Sequence, residues 1–536
     1  MRWRDFRFPL VVLILGFAVL AVLWCTSLVE YDDRNFLTIP VVLTTVILLF
    51  VWFQRGSAAP ARIKRIALWT LLATVATLAA LFRLAGFSGD FAPRFVPRWQ
   101  PRPDEALRLP SSIDRHNHGA LADPRPTPFD YPQFLGPGRN AEVTSVRLAR
   151  SWKQRPPKRM WKRSIGAGWS GFAVVGEYAF TQEQRGAREL VACYRVPTGR
   201  LVWSHADEGR FRSVVGGDGP RATPTVYQGN VVSMGPEGKL NCLDAATGRR
   251  LWSRNILVEN DVPNLQWGRS GSPLVVGQQV IVNVGASNGR SLVAYDRKSG
   301  ALLWNAGDDV ASYSSPALAT LGGVDQVLIV NQDWLASHRL RDGRLLWRHP
   351  WPGNSGSNAS ASQAIGVDDR HVFVSKGYHV GAALLEIRIT DDGVFSVEEV
   401  WSKPSVLRTK MTNVVIRDGH VYGLSQGILE CVELASGQRK WKQGRYGHGQ
   451  IIRIHDLLLV VAENGEVVLL EASPDGHREL GRFQAIQGKT WNNPALSGPY
   501  LLVRNAQVAA CYRLPLAEIR RGHTPVPRQE SRPADP

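Results

Sequence analysis

The chain is 536 residues long, carries 64 Lys and Arg against 46 Asp and Glu, and has a formal net charge of +18. That length excludes a single small domain and allows a large core. The charge would suit a nucleic-acid binder, but its distribution excludes that partner: residues 1–130 hold 15 basic and 10 acidic side chains, the remainder 49 and 36, with no dense basic block. A solvated surface near anionic lipid accounts for the excess.

Three apolar runs open the chain, at 8–29, 36–53 and 66–83, within a membrane domain covering residues 1–87. A span needs about 17–25 mostly apolar residues, so all three are predicted to be transmembrane helices. Arg2, Arg4 and Arg7 precede the first run as in a signal peptide, but its core is long, no A-x-A site closes it and a second run follows closely. Cys25 follows Trp24 rather than the small residue of a lipoprotein site. The first loop is acidic on balance (Glu30, Asp32, Asp33, Arg34) and the second basic (Arg55, Arg62, Lys64, Arg65). Basic segments stay in the cytoplasm, which predicts a multi-pass inner-membrane protein with a cytoplasmic N-terminus and everything after about residue 88 in the periplasm. Residues 88–130 form a Pro-rich linker, predicted to be a semi-rigid extended spacer, with nine prolines between 90 and 132.

From 131 to 516 the sequence repeats. VACYRVPTGRLVW (191–203) returns as LNCLDAATGRRLW (240–252), LVAYDRKSGALLW (292–304), LASHRLRDGRLLW (335–347) and LECVELASGQRKW (429–441), with degenerate copies at 384–401 and 468–480. The spacing, roughly 40–54 residues, is that of propeller blades. An apolar hairpin precedes each copy, and eight such hairpins occur, the first from 169 and the last from 491. Third strands also number eight once VAACYRLP (508–515) is included, but the eighth outer strand is supplied only by KRMWKRSIG (158–166). The prediction is an all-β eight-bladed β-propeller, its last blade closed by an N-terminal strand so that no sheet edge is left open, preceded by three transmembrane α-helices. Within each repeat the Asp shapes a turn through its own backbone, Gly supplies positive φ, and the outer-strand Trp suits the seam between blades. Residues 517–536 read as a disordered tail.

The [AC]-x-D-x-x-[TS]-G-x-x-x-W repeat resembles the pyrroloquinoline-quinone (PQQ)-like propeller repeat found in quinoprotein dehydrogenases and in BamB, the outer-membrane assembly factor. DYPQFLGPGRNA (130–141) is similar to the W-x-x-F-x-G-P-x-R-x-G lead-in of many bacterial PQQ-like repeat proteins. The resemblance covers about residues 130–515 and implies the fold more than the activity, because the repeat is structural. Its BamB side implies a non-catalytic binding or scaffold module for a protein partner in the cell envelope, with the departure that BamB-type proteins are lipoproteins. Its other side implies a membrane-bound PQQ-dependent dehydrogenase of alcohols or sugars, with PQQ and Ca²⁺ as cofactors.

Cys193, Cys242, Cys431 and Cys511 occupy one strand position in four blades, where Ala294 stands in another, so they read as small buried fillers. There is no adjacent cysteine pair such as quinoprotein alcohol dehydrogenases commonly carry, and no CxxCH, G-x-S-x-G, H-E-x-x-H or Walker-type motif. In a four-stranded blade the approach to the innermost strand and the loop between the second and third strands emerge on one face. Candidate ligand-binding residues at that channel mouth are Trp169, Glu183, Arg185, Arg221, Arg269, Asp333, Lys376, Lys410, His448 and Trp491. TQEQRG (181–186) reads there as a polar rim loop. Arg and Trp suit an anionic or planar ligand. No catalytic or metal-binding residues are assigned, and the expected function is the non-catalytic binding module, with the PQQ-dependent dehydrogenase as the alternative.

Overall fold

A computed structural model describes residues 7–26, 31–102, 104–105, 107, 125–353 and 358–518. Nearly all of the expected disordered tail and residues 108–124 of the expected spacer lie outside these residues. Three helices lead the chain: α1 (Arg7–Cys25), α2 (Tyr31–Arg55) and α3 (Ala61–Leu81). Each is long and apolar enough to cross a membrane. Of their described side chains only Val12 and Leu23 are buried, an apolar surface far beyond what a soluble protein exposes. α3 stops two residues short of the predicted span because Phe82 already enters a strand.

After the helices the chain builds a propeller of eight blades, each a four-stranded antiparallel sheet, the seventh extended by a fifth strand. Blade 1 runs from Ala173–Val175 to Leu201–Glu208, blade 2 from Thr225–Tyr227 to Arg250–Asn255, blade 3 from Leu274–Val276 to Leu302–Ala306, and blade 4 from Ala317–Leu321 to Leu345–Pro350. Blade 5 spans Ile365–Gly366 to Phe395–Lys403, blade 6 Val415–Arg417 to Arg439–Arg445, and blade 7 Gln450–Ile454 to Glu479–Gln484. Blade 8 takes its three inner strands from Ala495–Ser497 to Val508–Arg513 and its outer strand from Lys158–Ser164, with Cys511 paired to Trp161. The predicted N-terminal closure is therefore present. In every blade the third and outer strands shift register next to the position where Cys or its equivalent faces the outer strand, a bulge that re-aims the following residues.

The repeat residues hold the seams. Trp161, Trp203, Trp252, Trp401 and Trp441 each donate their indole N–H to a carbonyl in the turn of the next blade, those of Val196, Ala245, Arg297, Leu434 and Ser473 at 2.7–3.0 Å. The ring lies on the turn glycine: at Gly248, φ +72°, a Cβ would stand 2.5 Å from Trp203. Positive φ and close approach thus both require Gly there. Asp244 accepts from the Thr247 N–H at 2.8 Å and its hydroxyl at 2.6 Å, fixing the same turn. The four propeller cysteines lie buried opposite these Trp residues. Burial pushes the Cys242, Cys431 and Cys511 thiols up to about 12, so they stay unreactive. Blade 7 has no outer-strand Trp, and Trp152 from the incoming chain packs there against Gly481 and, edge-on at 5.6 Å, Phe483.

Residues 131–143, the lead-in motif and the short strand that follows it, run through the bore. Tyr131 exchanges backbone hydrogen bonds with Val174 of blade 1 (2.9 and 2.7 Å), and the Pro132 carbonyl accepts from Val226 of blade 2 at 2.8 Å. The buried Arg139 guanidinium donates to the Ser272 and Pro273 carbonyls ahead of blade 3 (3.0 and 3.1 Å), while Gln363 ahead of blade 5 donates to the Arg139 carbonyl. Burial pulls Arg139 down to about 9. Glu142–Val143 then runs parallel to the innermost strand of blade 7 as a fifth strand. The segment enters beside the Gly176 turn, where Asp130 accepts the Gly176 N–H, and leaves beside Leu516; both lie on the face opposite the mouth.

Candidate functional site at the channel mouth

The mouth is built where the innermost strands begin. Approach segments of adjacent blades set Trp169 and Trp491 with ring centroids 5.0 Å apart, and Trp267 and Tyr313 5.2 Å apart. Lys489 lies over the first pair, its Nζ 4.9 and 3.9 Å from the two ring centroids. Burial lowers Lys489 to about 8 although Glu463 opposes the shift. A cavity of about 190 Å³ opens among the four aromatic rings, lined also by Arg221, Lys410 and Tyr378, with Phe134 of the bore segment against it.

Of the candidate residues, Trp169, Arg221, Lys410 and Trp491 meet at this cavity. The Arg221 guanidinium donates to the carbonyls of Gly216 (3.1 Å), Gly217 (2.8 Å) and Gly219 and lies 4.5 Å from the Phe211 ring centroid; burial brings it down to about 10. His448, only 2% exposed, borders the mouth, and its backbone N–H donates to Glu463 at 3.0 Å. Arg269 is buried outside the lining, donates to the Pro263 carbonyl at 3.1 Å, and is lowered by burial to about 10.

The remaining candidates are held elsewhere. TQEQRG is not a loop: the strand Tyr178–Arg185 runs through it. Glu183, fully buried, accepts from Arg185 (2.8 Å), the Tyr194 hydroxyl (2.7 Å) and the Gly166 N–H (2.5 Å), an ion pair tied inside blade 1. Lys376 ends a strand of blade 5, is 1% exposed, and donates to the Gln332 and Trp351 carbonyls at 3.2 and 3.4 Å; burial lowers it to about 8. Asp333 is exposed and accepts from Asn358 at 3.0 Å.

A Ca²⁺ site for a quinone needs several converging oxygens. Among the described residues no carboxylate lines the cavity, and no group of three or more His, Cys, Asp or Glu could hold a metal ion. Glu463, beside the cavity, is spent: Oε1 accepts from Trp491 (3.0 Å) and the Gly89 N–H (2.7 Å), and Oε2 from His448. These residues do not fit a calcium-bound quinone.

The Gly89 contact comes from a hairpin that the Pro-rich composition did not reveal. Phe82–Phe87 pairs antiparallel with Pro93–Pro97 immediately after α3, and its tip, residues 88–92, enters the mouth. Asp90 meets His448 Nε2 at 3.2 Å, and Lys489 donates to the Phe87 carbonyl at 2.9 Å. Further along, Asp104 pairs with Arg210 at 2.8 Å. Sequence reasoning also missed Trp267, Tyr378 and Lys489; a Trp outside the seam register and a Lys two residues before the approach Trp were the available signals.

An eight-bladed disc of Asp-turn-Gly-Trp repeats, closed by its own N-terminal strand and led by three apolar helices, defines a PQQ-like-repeat propeller protein. More narrowly, the chain belongs to the family of the outer membrane protein assembly factor BamB, whose family model matches residues 147–288 and 187–443, more than half of the chain. BamB of Yersinia pestis is 24% identical over 387 residues, covering 61% of this chain and 91% of that protein. BamB of Moranella endobia is 23% identical over 261 residues, covering 46% of this chain but only 64% of its own length, just under two thirds. A quinohemoprotein alcohol dehydrogenase from Pseudomonas putida shares the fold, with a TM-score of 0.50 at 12% identity over 76% of this chain and 83% of that one.

Proposed function

We propose that this protein is a membrane-anchored, extracytoplasmic propeller that binds protein partners at the cell envelope and performs no chemistry itself. The observation that carries this reading is the mouth: an aromatic and cationic cavity with no carboxylate among its described lining residues, beside a glutamate already committed to three donors. Such a surface suits recognition of a partner. Membership of the BamB family supports a partner-binding role. The acidic first loop and the basic second loop support an inner-membrane placement with the N-terminus in the cytoplasm. On the same side as the propeller lie Asp33, 3.4 Å from His379, and Asn35, which donates to the Asp90 carbonyl at 2.9 Å.

Photo-crosslinking of the full chain in its native membrane tests the reading. A photoreactive residue at Trp267 or Tyr378 should give discrete adducts with an envelope protein, and one at Leu302 on an outer strand should not. Mouth positions that give no protein adduct would contradict it.

A further inference from the structure

We propose that the mouth is a peptide-recognition pocket for a short acidic–aromatic turn, and that residues 88–91, Ser-Gly-Asp-Phe, occupy it in cis as a stand-in for such a turn on a partner. This deepens the reading above and rests on it: the partner is a protein that presents an Asp or Glu followed by an aromatic residue at the apex of a turn.

The tip docks through contacts that such a turn would reproduce. Its Gly89 N–H donates to Glu463 Oε1 at 2.7 Å, its Asp90 carboxylate meets His448 at 3.2 Å, and its Phe91 ring lies 5.9 Å from the Lys410 ammonium. Lys410 also lies 5.2 Å from the Tyr378 ring, so the aromatic side chain enters a mixed cationic and aromatic wall. Gly89 is required by space: a Cβ there would overlap the imidazole of His448, which is buried and has nowhere to retreat. The pocket therefore selects for a residue without a side chain immediately before the acid.

Two features mark the cis occupant as displaceable. Phe91 is held at φ +57°, a left-handed conformation that a bulky L-residue adopts only under constraint, and release relieves it. The tip also leaves unfilled the space bounded by Trp169, Trp267, Tyr313 and Arg221, room for flanking residues of a longer turn. The tip itself is tied to α2 through Asn35, which donates to the Asp90 carbonyl, and through Phe36, whose ring stands 6.2 Å from that of Phe91. Withdrawal of the tip thus couples partner capture to the helices.

The test uses the detergent-solubilised full chain and a fluorescein-labelled cyclic peptide carrying the sequence of residues 87–93. Wild type should bind it weakly, because the cis tip competes. Gly89→Ala, which unseats the tip, should bind at least tenfold tighter by anisotropy, and Asp90→Ala/Phe91→Ala, which removes two of its three contacts by another route, should do the same. Adding Lys410→Met to either background should abolish the gain, as should Asp→Asn and Phe→Ala changes in the peptide. Peptide that fails to bind both opened variants while their melting temperatures match wild type overturns the inference, and so does equal binding of the altered peptides. Continued crosslinking from Trp267 and Tyr378 in that case would leave the binding-module reading standing. Peptide binding without any membrane crosslink would instead keep the pocket and count against an envelope protein as its partner.

Discussion

The seams between blades and the mouth of the channel both depend on tryptophan, yet they use it differently. At the seam seven of the eight blades contribute a Trp at the same register; in five of them the indole N–H reaches a turn carbonyl of the next blade, and in four of those five the ring also covers a glycine. At the mouth no two blades contribute the same set: Trp169 and Trp491 lean on each other, Trp267 on Tyr313, and Lys489 spreads its charge over two indoles. Repetition marks what the fold needs, and departure from it marks surface shaped for something outside the repeat.

Removing a seam residue should show the larger cost. Trp203→Ala loses a buried ring and its hydrogen bond, and should lower unfolding free energy by about 3–5 kcal/mol, read as a fall in the denaturant midpoint of the solubilised chain. A loss below about 1 kcal/mol would mean that the seam tolerates a void and that the repeat has another purpose.

Between the two regions stands Lys376, buried beneath the mouth loops and titrating at about 8 against an unfolded value near 10.5. Between those values the unfolded chain holds a proton that the folded chain has lost, so stability should rise as pH climbs from 8 towards 10.5, by on the order of 2–3 kcal/mol. Lys376→Met should remove that slope. A wild-type-minus-variant stability difference that stays flat with pH would show that Lys376 reaches solvent.

The smallest effect is expected at the mouth. Trp491→Ala should cost only about 1–2 kcal/mol, less than the seam Trp, since the ring is partly exposed and its contacts to Trp169, Lys489 and Glu463 lie at the solvent-facing mouth. The same variant should lose crosslinks from Trp267 and Tyr378. A melting loss equal to that of Trp203→Ala would make the mouth another seam.

What was legible in the sequence follows the same division. The eight blades, the closure by Lys158–Ser164 and the Trp–Gly seam could be read because each residue recurs at a fixed offset. The strand Tyr178–Arg185 was hidden because TQEQRG is polar and a polar run reads as loop; Glu183 and Arg185 are two apart on one strand and so share a side. The lead-in motif was visible, but not its place in the bore, since Tyr131, Pro132 and Arg139 reach different blades at unrelated separations. Prolines concealed the hairpin after α3, where Pro93 and Pro97 stand at the ends of one of two short strands, positions that a two-stranded sheet tolerates.

Recognition without oxidation at the mouth is tested most directly by incubating the purified full chain with PQQ and Ca²⁺, then following quinone absorbance through gel filtration and dye-linked oxidation of alcohols and sugars. A mouth that only recognises predicts protein that elutes free of quinone and shows no turnover. Quinone that co-elutes and supports turnover, both abolished by Trp491→Ala, would contradict it.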